Sequence, residues 1–189
     1  YAVLLDGSGR VMRENSHAED AHPALQAFTA LARECGAWLL LGSLTVKLDD
    51  ALMANRSYLI APDGALAASY DKIHMFDVTL PSGKVIRESS AYRPGARAVV
   101  AQTPWGALGM TVCYDLRFPQ LFRALAQAGA LFLAVPSSFQ RETGVAHWHA
   151  LLRARAIENL AYVLAPAMCG EHPGGRSTYG HSLIVDPWG

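Results

Sequence analysis

Short apolar runs alternate with helix-spaced segments along this chain, and nearly every switch is marked by a proline or a glycine. Strands and helices that follow one another in sequence must bury their apolar faces against each other, so the alternation restricts the chain to layered α/β arrangements. Pro23 to Cys35 places Leu25, Phe28, Leu31, Ala32 and Cys35 at helical spacing, with Gly36 as the stop. Residues 38–44 read as a buried strand. Residues 58–61 and 65–70 are strand-like runs about Pro62-Asp63-Gly64, where proline presets φ and glycine accepts a positive one, and they predict a hairpin. Residues 99–103 and 107–112 repeat that arrangement about Pro104-Trp105-Gly106. Pro119 opens a helix to residue 128, and Gly129 stops it before a strand at 131–135. A longer helix over about 146–160 precedes a strand at 162–167, and 181–186 reads as a last strand before the turn Pro187-Trp188-Gly189. The expected fold is α/β with a mixed sheet; a helix bundle or an all-β sandwich does not fit.

Composition supports a packed interior: 51% of the 189 residues are hydrophobic and only 17% are charged, which excludes disorder as the default. No repeat or polar linker interrupts the chain, so one domain spanning 1–189 is expected. Sixteen basic and sixteen acidic residues cancel, leaving no overall field for a nucleic-acid backbone or an anionic lipid surface. Neither nucleic acid nor membrane is an expected partner. The apolar runs at 38–41 and 131–135 fall far short of the roughly 18 to 20 residues of a membrane span. The three cysteines, Cys35, Cys113 and Cys169, are too sparse and too odd in number for a disulfide scaffold, which favours a reducing cytoplasm. The chain opens on Tyr1-Ala2-Val3-Leu4-Leu5, without a methionine, and closes just after a strand, so the domain is expected to be incomplete at both ends.

Chemistry concentrates at Cys113. A strand ends just before it, a helix starts at Pro119, and Tyr114-Asp115-Leu116-Arg117 fills the abrupt junction. A sharp strand-to-helix turn exposes a nucleophile and aims the following backbone N–H groups toward it, a common way to build an oxyanion hole. A buried structural cysteine is the competing reading. Lys72 follows the second strand of the first hairpin, where an ammonium could stabilise an oxyanion and lower a thiol pKa, although a solvated strand-end lysine is the commoner case.

The combination resembles the carbon–nitrogen hydrolase (nitrilase) superfamily. The resemblance rests on Tyr70-Asp71-Lys72-Ile73-His74-Met75-Phe76-Asp77, Glu88-Ser89, Pro94-Gly95 and Val112-Cys113-Tyr114-Asp115-Leu116-Arg117-Phe118-Pro119. Ala146-His147-Trp148, Arg153-Ala154-Arg155-Ala156-Ile157-Glu158-Asn159, Tyr179-Gly180-His181-Ser182 and Asp186-Pro187-Trp188-Gly189 are similar to its Nit-type amidase branch. The resemblance implies an αββα sandwich, mixed sheets flanked by helices, and a Glu-Lys-Cys triad. Cys113 would be the nucleophile, Lys72 the oxyanion-stabilising cation and Glu88 the glutamate that holds the lysine and the attacking water. The N–H of Tyr114 would complete the oxyanion hole. The general-base glutamate of the family lies in a Leu-Pro-Glu context ahead of the first helix; no such motif occurs here, and Glu14 and Glu19 read as solvated surface, so the base is expected upstream of Tyr1.

The implied substrate is a small amide bearing a carboxylate, its terminal amide cleaved through a thioester with loss of ammonia. N-carbamoyl hydrolases, nitrilases and N-acyltransferases of the superfamily are alternatives, as is a catalytically silent binding or assembly module. Arg117 and Arg176 are candidates for reading the carboxylate, because guanidinium pairs bidentately with it. Ser137, with Ser138, is expected to line the pocket or cap a turn. No cofactor is implied and no metal site is expected, since His147 and His149, two residues apart, point to different sides of a helix. Glu158 reads as a structural partner of nearby arginines, Cys35 as core and Cys169 as pocket wall. A homodimer through helix faces near the cysteine is also implied.

Overall fold

The computed structural model describes residues 16–79, 83, 85–172 and 175–189. They divide into two compact units with the boundary between Arg97 and Ala98. Each is a mixed α/β arrangement of sheet and helix, in keeping with the expected fold class.

In the first unit, helix α1 (Pro23–Cys35) covers a three-stranded antiparallel meander of β1 (Leu39–Lys47), β2 (Met53–Ile60) and β3 (Leu66–Asp71). Proline opens α1, and Gly36, at φ +59°, closes it in the left-handed conformation that a β-carbon disfavours. Alternation along the strands then sorts the faces. Leu44, Val46, Ala54, Tyr58 and Ile60 join Leu25 and Ala32 of the helix in one apolar cluster. The other face of β2 carries Asn55 and Ser57, polar yet buried. The hairpin about Pro62-Asp63-Gly64 forms as expected, closed by Ala61 N–H to Ala65 O at 2.9 Å, and Arg33 of α1 grips its tip through the Asp63 carbonyl at 2.7 Å. A second hairpin, β4 (Asp77–Thr79) with β5 (Val85–Arg87), has no counterpart in the sequence reading. Cys35 is exposed rather than core: only Leu25 and Ala32 of the anticipated stripe are buried, and Cys35 is the last residue of the helix, next to the Gly36 cap.

Gly95 sits directly on the end of β3. Its N–H donates to the Lys72 carbonyl at 2.8 Å, and a β-carbon there would stand 2.1 Å from the Asp71 carbonyl oxygen. The nearest atoms are the backbone carbonyl of Asp71, which cannot swing aside as a side chain can. Gly95→Ala is expected to destabilise the protein by about 3 kcal/mol, the upper end of overpacking costs. Gly109→Ala, which meets only the side chains of Leu125 and Leu133 at 3.1 Å, should cost about 1 kcal/mol. Urea midpoints of the two variants check the order; equal midpoints would contradict it.

The second unit is built on a five-stranded sheet in the order β12-β9-β8-β7-β6. The strands are β6 (Val99–Thr103), β7 (Gly106–Met110), β8 (Ala130–Ala134), β9 (Tyr162–Ala165) and β12 (Leu183–Val185). The central three are parallel, and β6 and β12 pair antiparallel at the edges. Parallel neighbours require crossovers, which α2 (Pro119–Gln127) and α3 (Arg141–Asn159) supply. Leu121, Phe122 and Leu125 of α2 and Trp148, Leu152 and Ala156 of α3 are buried, each large apolar side chain contributing roughly 1.5–3 kcal/mol. Helix α3 starts five residues earlier than its spacing predicts. Gly144 in its first turn lies so close to Tyr179 that a β-carbon would come within 2.4 Å of that side chain, so glycine here serves packing and does not interrupt the helix.

After β9 the chain returns as a short hairpin, β10 (Cys169–His172) with β11 (Arg176–Tyr179), on which Cys169 is exposed. Tyr179 N–H to Phe139 O at 2.9 Å and Met168 N–H to Ser137 O at 3.0 Å tie this segment to the loop that leaves β8. No described helix is long and apolar enough to cross a membrane.

Candidate active site

In the first unit, Lys72 is the residue immediately after β3. Its N–H bonds Asn55 O at 2.9 Å, which continues the strand ladder by one step and carries the side chain inward to 2% exposure. The ammonium donates to Oε2 of Glu88, the first residue of a 3-10 turn, Glu88–Ser90. That carboxylate is itself fixed: Oε2 accepts the Phe76 N–H at 2.6 Å, and Oε1 accepts Asn55 Nδ2 at 3.1 Å. Burying a charge is expensive unless it is paired and hydrogen-bonded, and this pair meets both conditions. Asn55 is the residue that sequence reading missed here; it serves Lys72 through its backbone and Glu88 through its side chain.

Two further groups frame the pair. Ser89 donates its hydroxyl to Asp77 Oδ2 at 2.5 Å and its N–H to Oδ1 at 3.0 Å, and these bonds hold the Asp77 carboxyl below its usual range. Burial, aided by the charge of Glu88 and opposed by a hydrogen bond with Thr45, pushes the Tyr92 phenol up to about 12, so it stays a neutral hydroxyl. On the other face of β2, Arg56 holds Asp71 bidentately, Nε to Oδ1 at 2.5 Å and Nη2 to Oδ2 at 2.9 Å. Its Nη1 reaches Glu19 Oε2 at 2.5 Å, and Tyr58 donates to the same oxygen at 2.9 Å. Glu19 is therefore a half-buried structural acceptor and not the solvated residue expected; Glu14 lies outside the described residues. The network clamps Asp71, one step before Lys72.

In the second unit, β7 ends at Met110, two residues short of the anticipated end, and Thr111 still bonds Ala134 O through both its N–H, at 3.1 Å, and its hydroxyl, at 2.7 Å. Cys113 N–H bonds Pro136 O at 3.0 Å, and the cysteine then turns to φ +50° to begin a 3-10 turn, Cys113–Arg117. A non-glycine residue in the left-handed region costs of order 1–3 kcal/mol and persists only where its surroundings over-determine it. Asp115 supplies part of that constraint: Oδ2 accepts the Val112 N–H at 2.9 Å, while its own N–H donates to Val112 O at 3.1 Å. Pro119 then opens α2. The thiol is half-buried. Cys113 and Ser137 follow the carboxyl ends of adjacent parallel strands, the place where open α/β sheets bind ligands.

The other anticipated residues also fall in this unit. Arg117 contacts His147 Nδ1 at 3.3 Å and lies 5.4 Å from the centroid of the Phe139 ring. Arg176 donates to the hydroxyl of Ser138. Ser137 is buried, with its hydroxyl on Val135 O at 3.0 Å and its N–H on Pro166 O at 2.9 Å, so it fastens the loop after β8. Tyr114 packs edge-on against Phe118, with ring centroids 5.4 Å apart. Glu158 pairs with Arg155 at 2.8 Å, as expected from helix spacing. His147 faces Arg117, while His149 packs against Tyr179 and His181. Among the described residues, no three His, Cys, Asp or Glu side chains gather as a metal site would require.

Comparison with known proteins adds three findings. The profile of the carbon-nitrogen hydrolase family matches residues 9–189, which takes in both units. A Yersinia enterocolitica protein named deaminated glutathione amidase is 45% identical over 191 residues, covering 99% of this chain and 66% of that protein; the chain spans just under two-thirds of its relative's length. Among solved structures, the C. elegans NitFhit protein superposes with a TM-score of 0.84 at 40% identity, over 95% of this chain and 43% of that one. A glutamate-to-glutamine variant of the amidase from Nesterenkonia sp. AN1 superposes with a TM-score of 0.80 at 29% identity, over 94% of this chain and 64% of that one. It carries the acetamide moiety of fluoroacetamide covalently on its active-site cysteine.

Proposed function

The chain belongs to the carbon-nitrogen hydrolase family, and from that premise we propose that the protein is a cysteine-dependent amidase acting on a small amide that bears a carboxylate. One observation carries the reading: Cys113 is held at φ +50° on the turn that follows the carboxyl end of a parallel strand. An amide carbonyl is a poor electrophile, so the reaction needs a thiolate, a stabilised oxyanion and a protonated leaving group. A carboxylate base, implied by the resemblance to be a glutamate, takes the thiol proton of Cys113. The sulfur attacks the carbonyl carbon, and the oxyanion is held by the ammonium of Lys72 and the N–H of Tyr114. The C–N bond then breaks, the nitrogen leaves with the proton returned by the base, and a thioester remains. Water, deprotonated by the base and positioned by Glu88, attacks the thioester, releases the carboxylic acid and restores the thiol. The covalent cysteine adduct of the Nesterenkonia amidase supports the nucleophile, and the burial of the Lys72–Glu88 pair supports the electrostatics.

Deaminated glutathione itself is the first substrate to try, given the name of the Yersinia relative, with ω-amides of dicarboxylic acids second. The two differ chemically: the amide nitrogen of a glutathione analogue leaves as a primary amine, that of a terminal amide as ammonia. Arg117 and Arg176, both in the second unit, are the proposed readers of the substrate carboxylate. The full gene product, assayed on both substrate types with amine and ammonia quantified separately, tests this. Turnover of either supports the reading; turnover only of a carbamoyl compound, with carbon dioxide released, transfers it to the carbamoyl hydrolases. We further infer a homodimer in a cytoplasmic compartment, a setting in which three free thiols persist.

A further inference from the structure

The turn that carries Cys113 is gripped from helix α3 by a residue that the amidase reading leaves without a task. Arg155 is 5% exposed, and two of its donors converge on a single acceptor: Nε at 3.1 Å and Nη2 at 2.8 Å from the carbonyl of Leu116, within the Cys113–Arg117 turn. The remaining arm, Nη1, is held by Glu158 at 2.8 Å, and the guanidinium carbon lies 5.3 Å from the centroid of the Phe122 ring on α2. Leu116 is itself fully buried. A guanidinium is a costly group to bury, and apolar residues of similar volume commonly replace such pairs without loss of stability. What an apolar residue would not supply is a fixed fork, five donors in one plane that set the position of an acceptor in two directions.

We propose that Arg155, aimed by Glu158, is a positioning residue for Cys113. A cysteine at φ +50° gains energy by relaxing to negative φ, and such a relaxation needs the following turn to unwind. The turn is fixed at both ends. Asp115 closes it onto Val112 at the start, and Arg155 pins the Leu116 carbonyl near its finish. With the carbonyl pinned, Cys113 keeps the conformation that presents its sulfur, and the N–H of Tyr114 keeps its direction. Arg155 bonds the Leu116 carbonyl, three residues from Cys113, and acts through that backbone. The proposal rests on Cys113 being the nucleophile, but its test does not depend on amidase turnover.

The decisive variant is Arg155→Lys, which keeps the positive charge and removes the fork. Iodoacetamide is added to the full gene product, and carbamidomethylation of the Cys113 peptide is followed by mass spectrometry, with the exposed Cys35 as internal reference. The variant is expected to alkylate Cys113 about 10-fold more slowly relative to Cys35, since sub-ångström displacement of a reacting group is felt at that scale. With substrate, kcat normalised to the folded fraction measured by circular dichroism is expected to fall about 10- to 100-fold while KM stays within about 2-fold, a split that loss of substrate binding does not produce. A folded variant that alkylates Cys113 at the wild-type ratio overturns the proposal. If Arg155→Lys does not fold, Glu158→Gln is read in its place: it keeps the guanidinium and releases the arm that aims it, so about 3-fold slower alkylation is expected, and an unchanged ratio overturns the proposal. A wild-type protein that turns over no amide would defeat the amidase reading, while the alkylation ratio would still decide the role of Arg155.

Discussion

Cys113→Ala is expected to abolish amide turnover, with a fall in kcat of at least about 10⁴-fold, the scale seen when a covalent nucleophile is deleted. The substitution removes a single sulfur. Alanine keeps the β-carbon, so the strain of φ +50° is unchanged, the N–H to Pro136 bond remains, and the Asp115 and Arg155 restraints on the turn are untouched. Melting temperature should therefore move by no more than about 2–3 °C, as for a minor truncation at a half-buried site. Mass spectrometry of the wild-type protein quenched during turnover should find the acyl group on the Cys113 peptide, as a thioester that hydroxylamine removes. Full turnover by the alanine variant would sink the mechanism, and an acyl group found on another residue would relocate the nucleophile.

The parts of this architecture that could be read from sequence are those in which one residue imposes a local conformation. Pro62-Asp63-Gly64 makes a hairpin by its own dihedral preferences, with Gly64 at φ +78°, and Pro23, Gly36 and Pro119 place helix ends for the same reason. Cys113 was legible as a junction residue because an apolar strand and a helix start bracket it. Its positive φ was not, since nothing in a cysteine side chain favours that region; the constraint comes from Asp115 on its own turn and from Arg155, some forty residues downstream. Glu19 was misread for a similar reason. Its partners, Arg56 and Tyr58, lie almost forty residues away and become neighbours only when the 3-10 turn Glu19–Ala21 meets β2. Asn55 lies ahead of the run 58–61 that reads as a strand, and only the fold brings its amide onto a buried carboxylate. Cys35 continues the helical spacing of α1, but it is the last residue of the helix, and spacing does not say which members of a stripe the core covers.

A related division runs through the residues proposed to be catalytic. Each charged or strained group is restrained by contacts inside its own unit: Glu88 by Asn55 and Phe76 N–H, the strand end before Lys72 by Arg56 on Asp71, Cys113 by Asp115 and Arg155. None of these restraining residues needs to meet substrate. In the proposed mechanism they hold the reacting groups ahead of binding, which is where electrostatic stabilisation of an oxyanion gains its advantage over water. Substitutions in the restraining set should consequently lower kcat more than they raise KM.

Lys72→Met is expected to cost both stability and activity, and the two losses can be separated. The side chains of Lys72 and Glu88 are 1% and 9% exposed, so deleting the ammonium leaves a carboxylate in the interior that, among the described residues, the Asn55 amide and the Phe76 N–H solvate. Breaking a buried pair from one side costs about 3–5 kcal/mol, and the urea midpoint should fall accordingly. Activity should fall by about 10³-fold, the upper range for removing one oxyanion donor. The double variant Lys72→Met, Glu88→Gln removes both charges; the glutamine carbonyl can still accept the Phe76 N–H, and neutralising both partners of a buried pair is often nearly free in stability. Most of the lost stability should therefore return. Turnover should not, because the oxyanion still lacks its cation and the attacking water lacks the Glu88 carboxylate. A double variant that recovers turnover along with stability would mean that Lys72 only holds the fold, and the oxyanion would need another donor; a Lys72→Met single variant with an unchanged urea midpoint would contradict the burial of the pair.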